Sequence, residues 1–147
     1  MKGKTVKNYV FEGLGFPVIV AKVELKKMGT DTYPVINMRK LQDAVFDFFL
    51  DNAVRLTGSQ LTFIRKYMDM TQQEFATALD LNGHGRVSQW ERAKEGVADV
   101  RPVYLAALRA CMAAYRGRKS LETQFIARMV AGDLRDPEPV RFNNAAA

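Results

Sequence analysis

Between Pro17 and Leu25 the chain alternates. Ile19, Ala21, Val23 and Leu25 fall on one side, and Val20, Lys22 and Glu24 on the other. A period of two predicts a half-buried β-strand. The aromatic run NYVFE at 8–12 comes before it, with the turn signal GLGFP at 13–17 between. KKMGTD turns the chain again at Gly29, and TYPVINM resumes an extended pattern in which Pro34 confines the strand to an edge. The first 38 residues therefore predict a small antiparallel β-meander.

The period then changes. In RKLQDAVFDFFLDNA, residues 39–53, Leu41, Ala44, Val45, Phe48 and Phe49 recur at helical spacing, and Phe46 and Leu50 add a second apolar side. A helix apolar on two sides must bury both. It either bridges the sheet and the helices that follow, or pairs with a second copy.

From Thr57 onward the pattern is helical throughout. Leu61, Ile64 and Met68 share one face of TGSQLTFIRKYMD. The next helix starts at Thr71, whose spacing to Glu74 matches a capping box, and turns Phe75, Ala76 and Leu79 inward. A third spans roughly 85–94 with Val87 and Trp90 as buried anchors. In VRPVYLAALRACMAAYRG, Pro102 suits a first turn and the stripe is Tyr104, Leu108, Cys111, Met112 and Tyr115. A last helix over 120–131 carries Leu121, Phe125 and Met129. The expected fold is α+β: a β-meander with a covering helix (1–54), an all-α domain of about five helices (55–132) and a tail (133–147).

Composition narrows the function classes. Apolar content of 48% with 26% charge is that of a globular chain. No run approaches the roughly 18 apolar residues of a membrane span, and the N-terminus lacks the pattern of a cleaved secretory signal. The single cysteine, Cys111, excludes an internal disulfide and a cysteine-rich zinc site, and a cytoplasmic setting is the simplest expectation. The net charge of +6 points to a polyanionic partner. Most of it lies in the middle, because residues 55–120 carry 11 Lys/Arg against 6 Asp/Glu.

That middle region contains two short helices joined by a tight turn. Ala76 supplies the small residue needed where two helices cross, and Leu79, Leu81, Val87 and Trp90 fill the space between them. Arg86, Ser88, Gln89 and Arg92 are then free of core duty. A major groove admits one α-helix, and Arg, Gln and Ser are side chains that read its base edges. Thr71 and Gln72, at the positive end of a helix, suit a backbone phosphate. Lys94 and Arg92 add further phosphate contacts.

Ile64-Arg65, then Met70-Thr71-Gln72-Gln73-Glu74-Phe75-Ala76, then Val87-Ser88-Gln89-Trp90-Glu91-Arg92, resemble the lambda-repressor/Cro-like helix-turn-helix group. The similarity is greatest to the DNA-binding half of MqsA-type antitoxins and covers about residues 56–115. It implies that Gln72 contacts DNA, that Arg86, Ser88 and Gln89 supply base contacts, and that Arg65 pairs with Glu91 structurally. Two departures stand out. Asp80 replaces the usual glycine at the end of the first helix of the pair, and the turn is one residue longer, with Asn82, Gly83 and Gly85 absorbing the excess. The N-terminal cysteines of a zinc-binding antitoxin are absent, so residues 1–54 follow another plan.

His84, the lone histidine, lacks the partners of a metal or catalytic site and reads as a turn residue or phosphate contact. Trp90 reads as a core anchor and Cys111 as an inert core residue. Arg116-Gly117-Arg118-Lys119 is either a solvated loop or a backbone-contacting patch. Neither an enzyme nor a cofactor is expected. The function expected is that of a transcriptional regulator, a repressor binding double-stranded DNA at a palindromic operator as a homodimer, with no membrane partner. The alternative is an antitoxin whose residues 1–54 hold a toxin protein while the helix pair represses their operon.

Overall fold

The computed structural model describes residues 3–52, 54–117, 136 and 139–142. The architecture is α+β, with an N-terminal β-sheet followed by five helices. The chain divides into two units, Met1–Phe48 with Glu138–Ala147, and Phe49–Pro137. The helix expected at 120–131 lies outside the described residues.

In the first unit, β1 (Lys4–Phe11), β2 (Val18–Met28) and β3 (Asp31–Val35) form the expected antiparallel meander. Gly29 begins the two-residue β2–β3 turn at φ 66°, the left-handed position that hairpins of this length give to glycine. Where the sequence alone suggests only a tail, β4 (Val140–Phe142) adds to β2 in parallel, pairing Val18 with Val140 and Val20 with Phe142. Val140 and Phe142 are buried while Arg141 points out, its Nη1 donating to Asn8 Oδ1 at 3.3 Å.

The face of β2 also differs from expectation. Val18 and Val20 are buried, Ile19 and Ala21 only half-buried, and the buried set resumes at Val23. Alternation is reset between Val20 and Val23. There the ladder pairs Lys7 with Lys22 and Tyr9 with Val20, and Asn8 between them sits at φ 53°, outside strand geometry.

Helix α1 (Met38–Asp51) opens on Asn37, whose Oδ1 accepts the Lys40 N–H at 3.1 Å. Leu41, Val45, Phe46, Phe49 and Leu50 are buried, while Ala44 and Phe48 of the expected stripe are half-buried.

The second unit holds α2 (Gly58–Tyr67), α3 (Gln72–Ala78), α4 (Gly85–Arg92) and α5 (Pro102–Tyr115). In α2, Leu61, Ile64 and Met68 are buried as the spacing predicts, and Phe63 joins them against Phe49, ring centroids 6.3 Å apart. The inner stripe of α5 is displaced from the expected one. Leu105, Leu108, Arg109, Met112 and Ala113 are buried, Tyr104 and Cys111 are half-buried, and Tyr115 is 50% exposed. Arg109 lies on this buried side. Its Nε donates to Phe49 O (3.2 Å) and its Nη2 to Asn52 O and Val54 O (both 3.1 Å). It thus ties a carbonyl of the last turn of α1 to the carbonyls of Asn52 and Val54 just beyond it, and burial pushes its pKa down to about 10. Among the described residues no helix is long and apolar enough to cross a membrane.

Candidate functional site

The helix pair begins at Thr71. Its hydroxyl accepts the Glu74 N–H and its own N–H donates to Glu74 Oε1, both at 3.1 Å, completing the predicted capping box. The Thr71 backbone bond, then the hydroxyl bond, hold the Glu74 carboxyl below its usual pKa. At the other end of α3, Asp80 N–H reaches Thr77 O at 3.1 Å and Leu81 N–H reaches Ala76 O at 2.8 Å. This is a Schellman ending with Asp80 at φ 57° in the left-handed position usually held by glycine. Helix α2 ends alike, on Asp69 at φ 57°.

Gly83, at φ 88°, carries the lengthened turn. His84 follows as the residue before α4. Its carbonyl accepts the Ser88 N–H at 2.9 Å, its side chain makes no capping bond, and it is exposed. The start of α4, which the sequence leaves open by a residue or two, therefore falls at Gly85.

Ala76, Leu79, Val87 and Trp90 are buried as expected, and Leu81 is half-buried. A third helix locks this pair. Arg65 of α2 donates from Nε to Glu91 Oε2 at 2.7 Å, from Nη2 to Glu91 Oε1 at 2.9 Å, and from Nη1 to Met70 O at 2.9 Å. Thr62 Oγ1 and Gln72 Nε2 also donate to Glu91 Oε1, at 3.1 and 3.3 Å. One carboxylate thus collects donors from α2 and α3 onto α4. Burial raises the Glu91 pKa, but bonds from Arg65, Gln72 and Thr62 and the Arg65 charge outweigh it, and the net shift is downward. Gln72, expected at an outer contact, is half-buried with its amide nitrogen committed to this network.

Gly58 and Thr62 are missing from the sequence reading. At Gly58 a Cβ would lie 2.5 Å from Lys94 N and 2.6 Å from Trp90 O, so the start of α2 touches the end of α4 backbone to backbone. Gly58 N–H donates to Gly96 O at 3.2 Å and Ser59 N–H to Lys94 O at 2.9 Å. The free donors of one helix start thereby satisfy carbonyls just past the end of another. A TG pair opening a helical pattern is the only signal, and it does not name the partner.

Outside this frame, Arg86, Gln89 and Arg92 of α4 are exposed, Ser88 is half-buried, and Thr71 and Lys94 are exposed at its flanks. Arg86 lies over the ring of Tyr104 on α5, Cζ 5.8 Å from the centroid, and Tyr104 in turn packs at 6.0 Å on Trp90. Beside this stack an open cleft of about 480 Å³ runs between α4 and the start of α5, with Gln89 and Arg101 on its walls. Cys111 is half-buried, and burial pushes its thiol pKa up, away from the reactive thiolate.

Compared with known protein families, functionally characterised proteins and solved structures, the chain matches none.

Proposed function

We propose that α3 and α4 form a helix-turn-helix and that the chain is a sequence-specific DNA-binding regulator, a repressor acting as a homodimer. The observation that carries this reading is the charge on α4. Its exposed charged residues are Arg86 and Arg92, with Lys94 just beyond. Its one acid, Glu91, is drawn inward and matched by Arg65. An outward face that is basic and rich in Arg, Gln and Ser, on a helix held by buried anchors, suits a major groove. Resemblance to the lambda-repressor/Cro-like pattern supports the same assignment. A dimer would occupy two half-sites about one helical turn apart.

Selection of bound duplexes from a random pool tests this directly. Enrichment of a palindromic sequence, bound with an affinity that falls steeply with salt, is the expected result. No enrichment, or an affinity indifferent to salt, overturns it.

One feature of the first unit favours a second role for it. Met28, Tyr33 and Val35 lie on one face of the β2–β3 ladder and are 70%, 40% and 41% exposed. Apolar side chains gathered on a sheet face suit a protein partner, in line with the antitoxin alternative, in which that partner is a toxin. Rescue of growth by co-expression with a neighbouring toxic gene product, lost on Tyr33→Lys, tests it.

A further inference from the structure

The stack of Arg86 on Tyr104 gives the DNA-reading surface a support that α4 alone does not supply. Arginine has a long, rotamer-rich side chain, and an exposed one near a helix start samples many orientations. Arg86 does not depend on its own helix for order. The ring of Tyr104, from α5, lies under the guanidinium with its centroid 5.8 Å from Cζ, and Tyr104 itself packs at 6.0 Å against Trp90, which is 5% exposed. The contact engages the guanidinium by its charge over the ring. The N–H fork has no hydrogen-bond or ion-pair partner among the described residues, and Arg86 and Tyr104 together line two clefts of about 480 and 340 Å³. Face and edge are separate binding elements of a guanidinium, so stacking and bidentate recognition of a base are compatible.

We propose that Tyr104 is the positioning residue for Arg86: it pre-orders the guanidinium so that its edge meets a base, and α5 thereby sets the sequence specificity of α4. This rests on the DNA-binding reading above, and it extends the reading surface to a helix outside the turn. It also gives a reason for an aromatic residue to stand half-exposed at a position that periodicity alone assigns to the core.

The test uses the full chain and a duplex selected from a random pool, with Tyr104→Phe, Tyr104→Leu and Arg86→Ala, alone and combined. Tyr104→Leu should weaken binding to the selected duplex about three- to tenfold and leave random DNA within about twofold. Tyr104→Phe should stay within about twofold of the parent on both. In the Arg86→Ala background Tyr104→Leu should cost nothing further. An equal loss with and without Arg86, or no loss at all, overturns the proposal. Pentafluorophenylalanine at 104 keeps ring shape while weakening the attraction for a cation. It should behave like Leu, and behaviour like Phe overturns the cation–π basis. The Arg86 Nε–Hε NMR signal reports the stack without DNA: a ring-current shift lost in Tyr104→Leu is expected, and its absence overturns the positioning role. If the parent chain binds no duplex while that shift is present, the DNA reading fails and the stack stands.

Discussion

Arg65 and Glu91, 26 residues apart, meet with Nε and Oε2 at 2.7 Å, and the same carboxylate takes bonds from Thr62 and Gln72. Removing the arginine leaves a half-buried carboxylate with only neutral donors. Arg65→Ala should therefore cost about 2–4 kcal/mol in urea unfolding, and a loss no larger than that of an exposed salt bridge, about 0.5 kcal/mol, contradicts the assigned role. The pH dependence has a defined sign. Because the Glu91 pKa is lowered in the folded chain from an ordinary 4.5, its contribution is present above that value and is lost as pH falls through the lower folded pKa. The stability gap between the parent and Glu91→Gln should shrink on acidification below about pH 4.5. A gap constant across that window contradicts the shift.

Gly58 provides a test of opposite sign to the usual one. Replacing an exposed helix glycine by alanine ordinarily stabilises by up to about 1 kcal/mol. Here the added carbon would meet Lys94 N and the carbonyl oxygens of Trp90 and Glu91 at 2.5–2.7 Å, all backbone atoms that cannot swing aside. Gly58→Ala should destabilise by about 2–3 kcal/mol or more in thermal or chemical unfolding. Stabilisation would show that α2 and α4 do not approach so closely.

Asp80 should be improvable. At φ 57° it bears the steric cost of the left-handed region, and its charge stands at the negative end of α3. Asp80→Gly relieves both and should raise stability by about 1 kcal/mol. Gly83→Ala, at φ 88° with open space around the Cβ, should lose about as much for the converse reason. Equal effects of the two substitutions would contradict the turn geometry.

Arg109 is a buried cation of the second unit, and it donates to three main-chain carbonyls in and just past the last turn of α1. Arg109→Met matches its length but removes the three bonds the guanidinium donates to Phe49 O, Asn52 O and Val54 O, and should cost about 3 kcal/mol by denaturant titration. Arg109→Lys keeps the charge without the planar fork and should recover only part. A Met variant as stable as the parent would assign the site to packing alone.

These positions mark where the sequence stops being legible. Helical spacing identifies Ala76, Leu79, Val87 and Trp90 correctly because burial there follows one helix against its neighbour. The Thr71–Glu74 box is local and equally readable. The stripe of α5 is misjudged because periodicity assigns arginine to solvent, whereas Arg109 faces inward to carbonyls 55–60 residues away in sequence. The face of β2 is misjudged because the buried set passes from Val18 and Val20 to Val23 within a strand whose alternation looks unbroken in sequence. In β4, three residues carry too little pattern to stand out after two prolines. Gln72 keeps part of its surface exposed while its amide also reaches Glu91, 19 residues on, a contact that no local rule shows.

The proposed interface divides into residues that read and residues that hold, and salt separates them. Gln89 is exposed on α4 one turn from Arg86 and offers a bidentate amide to a base edge. Gln89→Ala should cost about 1–3 kcal/mol on the selected duplex and little on random DNA. Lys94 lies at φ 51° just past the end of α4, where its backbone is tied to Ser59 and its side chain is exposed. It suits a phosphate. Lys94→Ala should weaken both duplexes alike and reduce the slope of log K against log salt by about 1. The reverse pattern, with Lys94 altering specificity and Gln89 altering the salt slope, would mean that α4 lies across the backbone and not in the groove.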